Sequence, residues 1–129
     1  MIAVDTNIIV RLLTRDDEQQ YQRSRFLFEQ QDIFIPDTVI LETEWVLRFT
    51  YRFTTSEICE ALRNLLGLPN VQFTNASLVA QVIQWHEQGL DFADAFHLAQ
   101  SQHCSAIYTF DSKFVTRSQG LTGCTVQQP

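Results

Sequence analysis

Glycine and proline are scarce. Four Gly and three Pro in 129 residues leave no stretch able to serve as a flexible linker. There is no internal repeat and no low-complexity tract, so 1–129 reads as a single domain, long enough to bury a core. Cysteine is sparse as well. Cys59, Cys104 and Cys124 are odd in number, form no Cys-x-x-Cys pair and fit no zinc pattern, which points to free thiols in a reducing compartment. No apolar run approaches the roughly 20 residues that span a bilayer. The opening Met1-Ile2-Ala3-Val4-Asp5 has neither a basic region nor a small-residue cleavage site, so the expectation is a cytoplasmic protein with no membrane attachment. A Gly-rich phosphate loop and a Gly-x-Ser-x-Gly elbow are also missing, which counts against nucleotide-fold and serine-hydrolase chemistry.

Basic charge is the last deficit. Nine Lys and Arg stand against fifteen acids, a net charge of −6. Phosphate neutralisation supplies much of the affinity of nucleic-acid binders, so this balance lowers the expectation of strong non-specific binding. It also suits a basic peptide partner. Divalent ions bound by part of the acidic set would offset some of that charge.

What is present is a 45% hydrophobic composition with ten phenylalanines, enough for a folded core. Short apolar runs alternate with helical periodicity, which predicts a parallel sheet with helices on both faces. Strands are expected at 2–4, 33–35, 71–73 and 106–109, with a short edge strand at 124–126. Helices are expected at 7–13, 16–30, from a cap at Asp37 or Thr38 to about 49, from Thr54 to Leu66, at 76–87 and at 92–103. The stretch 113–123 reads as irregular. Phe26, Phe28, Phe92 and Phe96 recur at helical spacing and read as core rather than base-stacking residues.

Four acids fall where such a fold places its chemistry. Asp5 and Asp111 each end an apolar strand, and open α/β sheets build their sites at strand carboxyl ends. Glu42 shares a helical face with Val39, Trp45, Val46 and Phe49 and would be desolvated there, whereas Glu44, four residues before Arg48, reads as half of a surface ion pair. Asp91 suits the N-cap of the helix that follows, leaving Asp94 between Ala93 and Ala95 as the acid open to a ligand. Each acid has a plainer reading as a cap, a turn residue or an ion-pair partner. Together, four carboxylates at close range require a compensating cation, and oxygen-only ligands suit Mg²⁺ or Mn²⁺. The reading is a metal-dependent enzyme acting on a phosphate. The Thr6 hydroxyl and the Asn7 amide follow the first acid, and Arg11, Arg15 and Lys113 lie near the strand ends as candidates for phosphate contact. His97 is one turn beyond Asp94, but a packing or surface role suits it better.

Val4-Asp5-Thr6-Asn7, Leu41-Glu42-Thr43-Glu44-Trp45-Val46-Leu47, Asp91-Phe92-Ala93-Asp94-Ala95 and Thr109-Phe110-Asp111 resemble the PIN-domain family in motif order and spacing. More narrowly, the chain resembles VapC-type toxins of type II toxin–antitoxin systems. That resemblance implies a Rossmann-like α/β/α sandwich with a mainly parallel sheet of four to five strands. It implies a Mg²⁺- or Mn²⁺-dependent endoribonuclease with metal ligands at Asp5, Glu42, Asp94 and Asp111, oriented by Thr6, Asn7 and Thr109. It further implies a cognate antitoxin and a toxin homodimer. Two other readings compete. An antitoxin-binding module without activity would keep the fold and lose the chemistry. An aspartyl-type phosphatase needs a general acid two residues after its nucleophile, where this chain has Asn7.

Overall fold

The computed structural model describes all residues, Met1–Pro129. The chain divides into two compact units, Met1–Ala76 and Ser77–Pro129. The first contains β1 (Ile2–Ala3), α1 (Thr6–Thr14), α2 (Glu18–Gln30), β2 (Ile33–Phe34), α3 (Asp37–Phe49), α4 (Thr55–Leu66) and β3 (Val71–Gln72). Its sheet has the order β1-β2-β3, with both pairings parallel and Ile33 opposite Ile2 and Val71. Ile33 and Ile35, on and just beyond the central strand, are wholly buried. The second unit contains α6 (Phe92–Gln100), β4 (Ala106–Tyr108), α7 (Ser112–Arg117) and β5 (Thr125–Gln127), and almost all of α5 (Ala76–Glu87). There β4 and β5 pair in parallel, Ala106 opposite Thr125 and Tyr108 opposite Gln127. The α/β class and the parallel pairing agree with the alternation in the sequence, and the five strands group as three and two.

Local chemistry accounts for most boundaries. Asp5, Asp17, Asp91 and Asp111 cap α1, α2, α6 and α7 by accepting backbone N–H bonds, and Thr54 with Glu57 forms a capping box on α4. On α5, Val79, Val82 and Ile83 recur at helical spacing and are fully buried. Gly89 follows that helix at φ +113, a conformation in which a side chain is strained.

Four local expectations are corrected. The cap of α3 is Pro36, at φ −62 and with no side-chain bond, so Asp37 and Thr38 lie inside the helix. A proline ring sets the geometry for helix entry without a side-chain acceptor. The stretch 113–123 is not wholly irregular, because Asp111 caps the six-residue α7. Helix α6 ends at Gln100, three residues before the expected end. Phe26 is 62% exposed, although Phe28, Phe92 and Phe96 are buried as expected.

Candidate active site

The first acid pair lies in the unit Met1–Ala76. Asp5 follows β1 and caps α1, its Oδ1 accepting the Thr6 N–H at 2.7 Å. The second oxygen, Oδ2, has no partner in the protein. Asp5 and Glu42 line one pocket of about 320 Å³, together with Thr6, Asn7, Arg11 and Tyr51. Thr6 is 5% exposed. Its Oγ1 is buried and has no hydrogen-bond partner. A hydroxyl in that state costs free energy unless something else satisfies it.

The two glutamates of α3 exchange the environments expected of them. Glu44 is 2% exposed and bonds Arg48, with Nε 2.8 Å from its Oε2. Glu42 is exposed, as are Trp45 and Phe49, each at 55%. The core face of α3 is Ile40, Thr43, Glu44 and Leu47, one helical step round from the stripe read in the sequence. Exposed aromatics are common enough that an apolar neighbourhood does not establish burial. Glu42 therefore stands as an open carboxylate in the Asp5 pocket, with Glu44 committed to Arg48.

Arg11 is the cation of this pocket, and sequence alone could not have fixed its setting. Its Nε donates to Gln20 Oε1 at 2.6 Å, and its Nη1 donates to the Tyr51 hydroxyl at 2.8 Å and to Asp16 Oδ1 at 3.3 Å. Tyr51 in turn donates to Asp16 Oδ2 at 2.6 Å. That bond is the largest of the effects holding the Asp16 carboxyl below its usual range. Arg15 has a different place: it forks onto Glu18 and lies over the Tyr21 ring at 4.2 Å, outside the acid pockets. Its guanidinium draws the Glu18 carboxyl down to about 2.

The second acid pair lies in the unit Ser77–Pro129. Asp94 and Asp111 line a pocket of about 340 Å³ with Asp91, Lys113 and Arg117. Asp91 caps α6, its Oδ2 accepting the Asp94 N–H at 3.2 Å. Asp111 caps α7 through Oδ1, which accepts the N–H groups of Lys113 and Phe114, and its own N–H donates to Thr109 Oγ1 at 3.0 Å. As with Asp5, only one carboxylate oxygen is used. Burial, and then the charges of Asp91 and Asp111, push the Asp94 carboxyl above its usual range, with His97 opposing weakly. His97 itself is exposed. Arg117 escapes sequence reasoning because six helical residues carry too little periodicity. Once α7 is recognised, Lys113 and Arg117 are an i, i+4 pair on one face.

Within neither unit do three His, Cys, Asp or Glu side chains converge as a preassembled metal cage. Asp5 shares its pocket with Glu42, and Asp111 shares its own with Asp94. The donors still fit a hard divalent ion: they are oxygens, Oδ2 of Asp5 and of Asp111 is uncommitted, and the Thr6 hydroxyl is unpaired beside Asp5.

A profile of the PIN domain matches residues 2–118. Among solved structures, the crystal structure of Mycobacterium tuberculosis VapC20, described as a sarcin–ricin loop cleaving toxin, is 22% identical. The match covers 90% of this chain and 94% of that one, with a TM-score of 0.43. No curated protein matches the chain.

Proposed function

Because the chain belongs to the PIN domain family, a family of nucleases, we propose that it is a Mg²⁺- or Mn²⁺-dependent endoribonuclease. In this reading it is the toxin of a type II toxin–antitoxin pair, and 1–129 acts as one PIN domain. One observation carries it. Each strand-end aspartate, Asp5 and Asp111, spends one oxygen on a helix cap, keeps the other free, and shares a pocket with a second acid, Glu42 or Asp94.

Asp5, Glu42, Asp94 and Asp111 supply the metal ligands. A bound divalent ion lowers the pKa of a water ligand and offsets charge on phosphate oxygens. The chain's own groups prepare that chemistry. Backbone amides of α1 and α7 fix the rotamers of Asp5 and Asp111, so their free oxygens need no search. Thr109 holds the Asp111 backbone, and the Thr6 hydroxyl and Asn7 offer polar atoms beside Asp5. Lys113 and Arg117 meet phosphate oxygens beside Asp111.

The partners in this reading are RNA, an antitoxin that presents a basic side chain to the acids, and a second copy of the chain. The Trp45–Phe49 ring pair, exposed on α3 with centroids 5.0 Å apart, supports the last of these. Three free cysteines support a cytoplasmic setting. No helix is long and apolar enough to cross a membrane.

The test is cleavage of a structured RNA pool by antitoxin-free protein with Mg²⁺, Mn²⁺ or EDTA, beside Asp5→Asn and Asp94→Asn. Discrete cuts lost with EDTA and with either substitution are expected. Intact RNA despite measurable Mg²⁺ binding would replace the nuclease with an inactive antitoxin-binding module. Turnover of a phosphomonoester in place of RNA would favour a phosphatase.

A further inference from the structure

A larger groove of about 600 Å³ lies beside the Asp5 pocket, and the two share Asn7 and Arg11 as a common wall. In a chain of net charge −6, this groove is lined by two arginines, Arg11 and Arg23, and by no carboxylate. Arg11 enters it with a fixed orientation. Three of its five N–H groups are held by Gln20, Tyr51 and Asp16, while the two on Nη2 have no protein acceptor. Arg23 forms no ion pair, unlike Arg25 two residues on, which bonds Glu29 at 2.6 Å. Phe26, one turn beyond Arg23 on α2, is 62% exposed. A guanidinium with open donors, a free second cation and a bare aromatic ring match one ligand class, a nucleotide with its phosphate.

We propose that the groove between α1 and α2 binds the nucleotide adjoining the scissile phosphate, with Arg11 and Arg23 on its phosphate and Phe26 under its base. RNA as the substrate is taken from the nuclease reading above. A basic peptide is the less suitable occupant, because the two arginines repel it. Tyr51 and Asp16 act as positioning residues, since they help set the plane of Arg11 and do not line the groove, while Gln20 both holds Arg11 and lines it.

The experiment measures binding of a fluorescent single-stranded RNA oligonucleotide by the full chain in EDTA, over a series of salt concentrations. Arg11→Met and Arg23→Gln are each expected to flatten the slope of log K against log salt by about 0.7, the value for one phosphate contact on a single strand. Arg25→Gln, an equal charge change outside the groove, leaves the slope at its wild-type value. Phe26→Ala weakens binding by about tenfold, and Phe26→Trp restores it. Tyr51→Phe keeps the Arg11 charge, so it weakens binding with the slope unchanged. Equal slopes for Arg23→Gln and Arg25→Gln, with Phe26→Ala binding like wild type, would overturn the proposal. So would variants that lose self-association while RNA binding is untouched, since the groove would then belong to a second copy. A wild type that binds RNA through the groove but never cuts it overturns the nuclease reading alone. One that cuts RNA while the groove variants behave as wild type overturns this proposal alone.

Discussion

Replacing Thr6 by valine should make the protein more stable in EDTA and, on the nuclease reading, a poorer binder of Mg²⁺. Valine keeps the β-branched shape, so no cavity opens and helix propensity barely changes at the first residue of α1. What is removed is a hydroxyl on a residue 5% exposed, whose oxygen meets neither donor nor acceptor. An unsatisfied buried polar group costs about 1–3 kcal/mol. The lower end applies here, because the hydroxyl borders a pocket rather than the core. A gain of about 1 kcal/mol corresponds to a rise of about 4 °C in Tm for a domain of this size. Thermal and urea melts in EDTA, followed by circular dichroism, would measure it. Repeating the melts with Mg²⁺ should show a smaller metal-induced shift for Thr6→Val than for wild type, since the hydroxyl is then no longer there to meet the bound ion or its water. If Thr6→Val instead loses 1 kcal/mol or more in EDTA, the hydroxyl has a partner in the folded protein and the argument fails.

Asp94 gives a pH-dependent counterpart. Its carboxyl is raised by burial and by the charges of Asp91 and Asp111, so the folded state holds that proton to a higher pH than the unfolded state does. In the window between the two values the folded state binds more protons, and stability falls as pH rises through it. Metal-free Asp94→Asn should therefore melt above wild type at neutral pH, with the gap closing below about pH 3.5, near the unfolded carboxyl value. A gap independent of pH would sink this account. Arg48→Met removes a partner of Glu44, which is 2% exposed, and should cost about 2 kcal/mol in urea unfolding, below the usual penalty for a broken buried pair because Arg48 is 38% exposed. An unchanged midpoint would show that Glu44 is satisfied without it. Gly89→Ala places a side chain at φ +113 with no atom within 4 Å of the added Cβ, so its cost is backbone strain alone, about 1–2 kcal/mol. A larger loss would mean that the turn between α5 and α6 unfolds.

The sequence carried most of what depends on neighbours along the chain. Asp5 and Asp91 read as caps because a carboxylate just before a helix finds unpaired N–H groups within a few residues, and both cap, whereas Asp111 read as a turn residue and caps a helix too short to show periodicity. The bounds of α5 and the parallel pairing of strands followed from periodicity and alternation. Capping leaves the second oxygen of Asp5 and of Asp111 free, since a carboxylate has two. Contacts between distant segments were not legible. Which face of α3 meets the core turned on a step of about 100°, too fine for a stripe that mixes Trp45, Val46 and Phe49 with Glu42. Tyr51 reaches Arg11 across forty positions, and Arg23 and Phe26 join Asn7 in one groove only because α2 packs beside α1. Local propensity has a range of a few residues, whereas a pocket is made where segments far apart in the chain are brought together by burying a shared core.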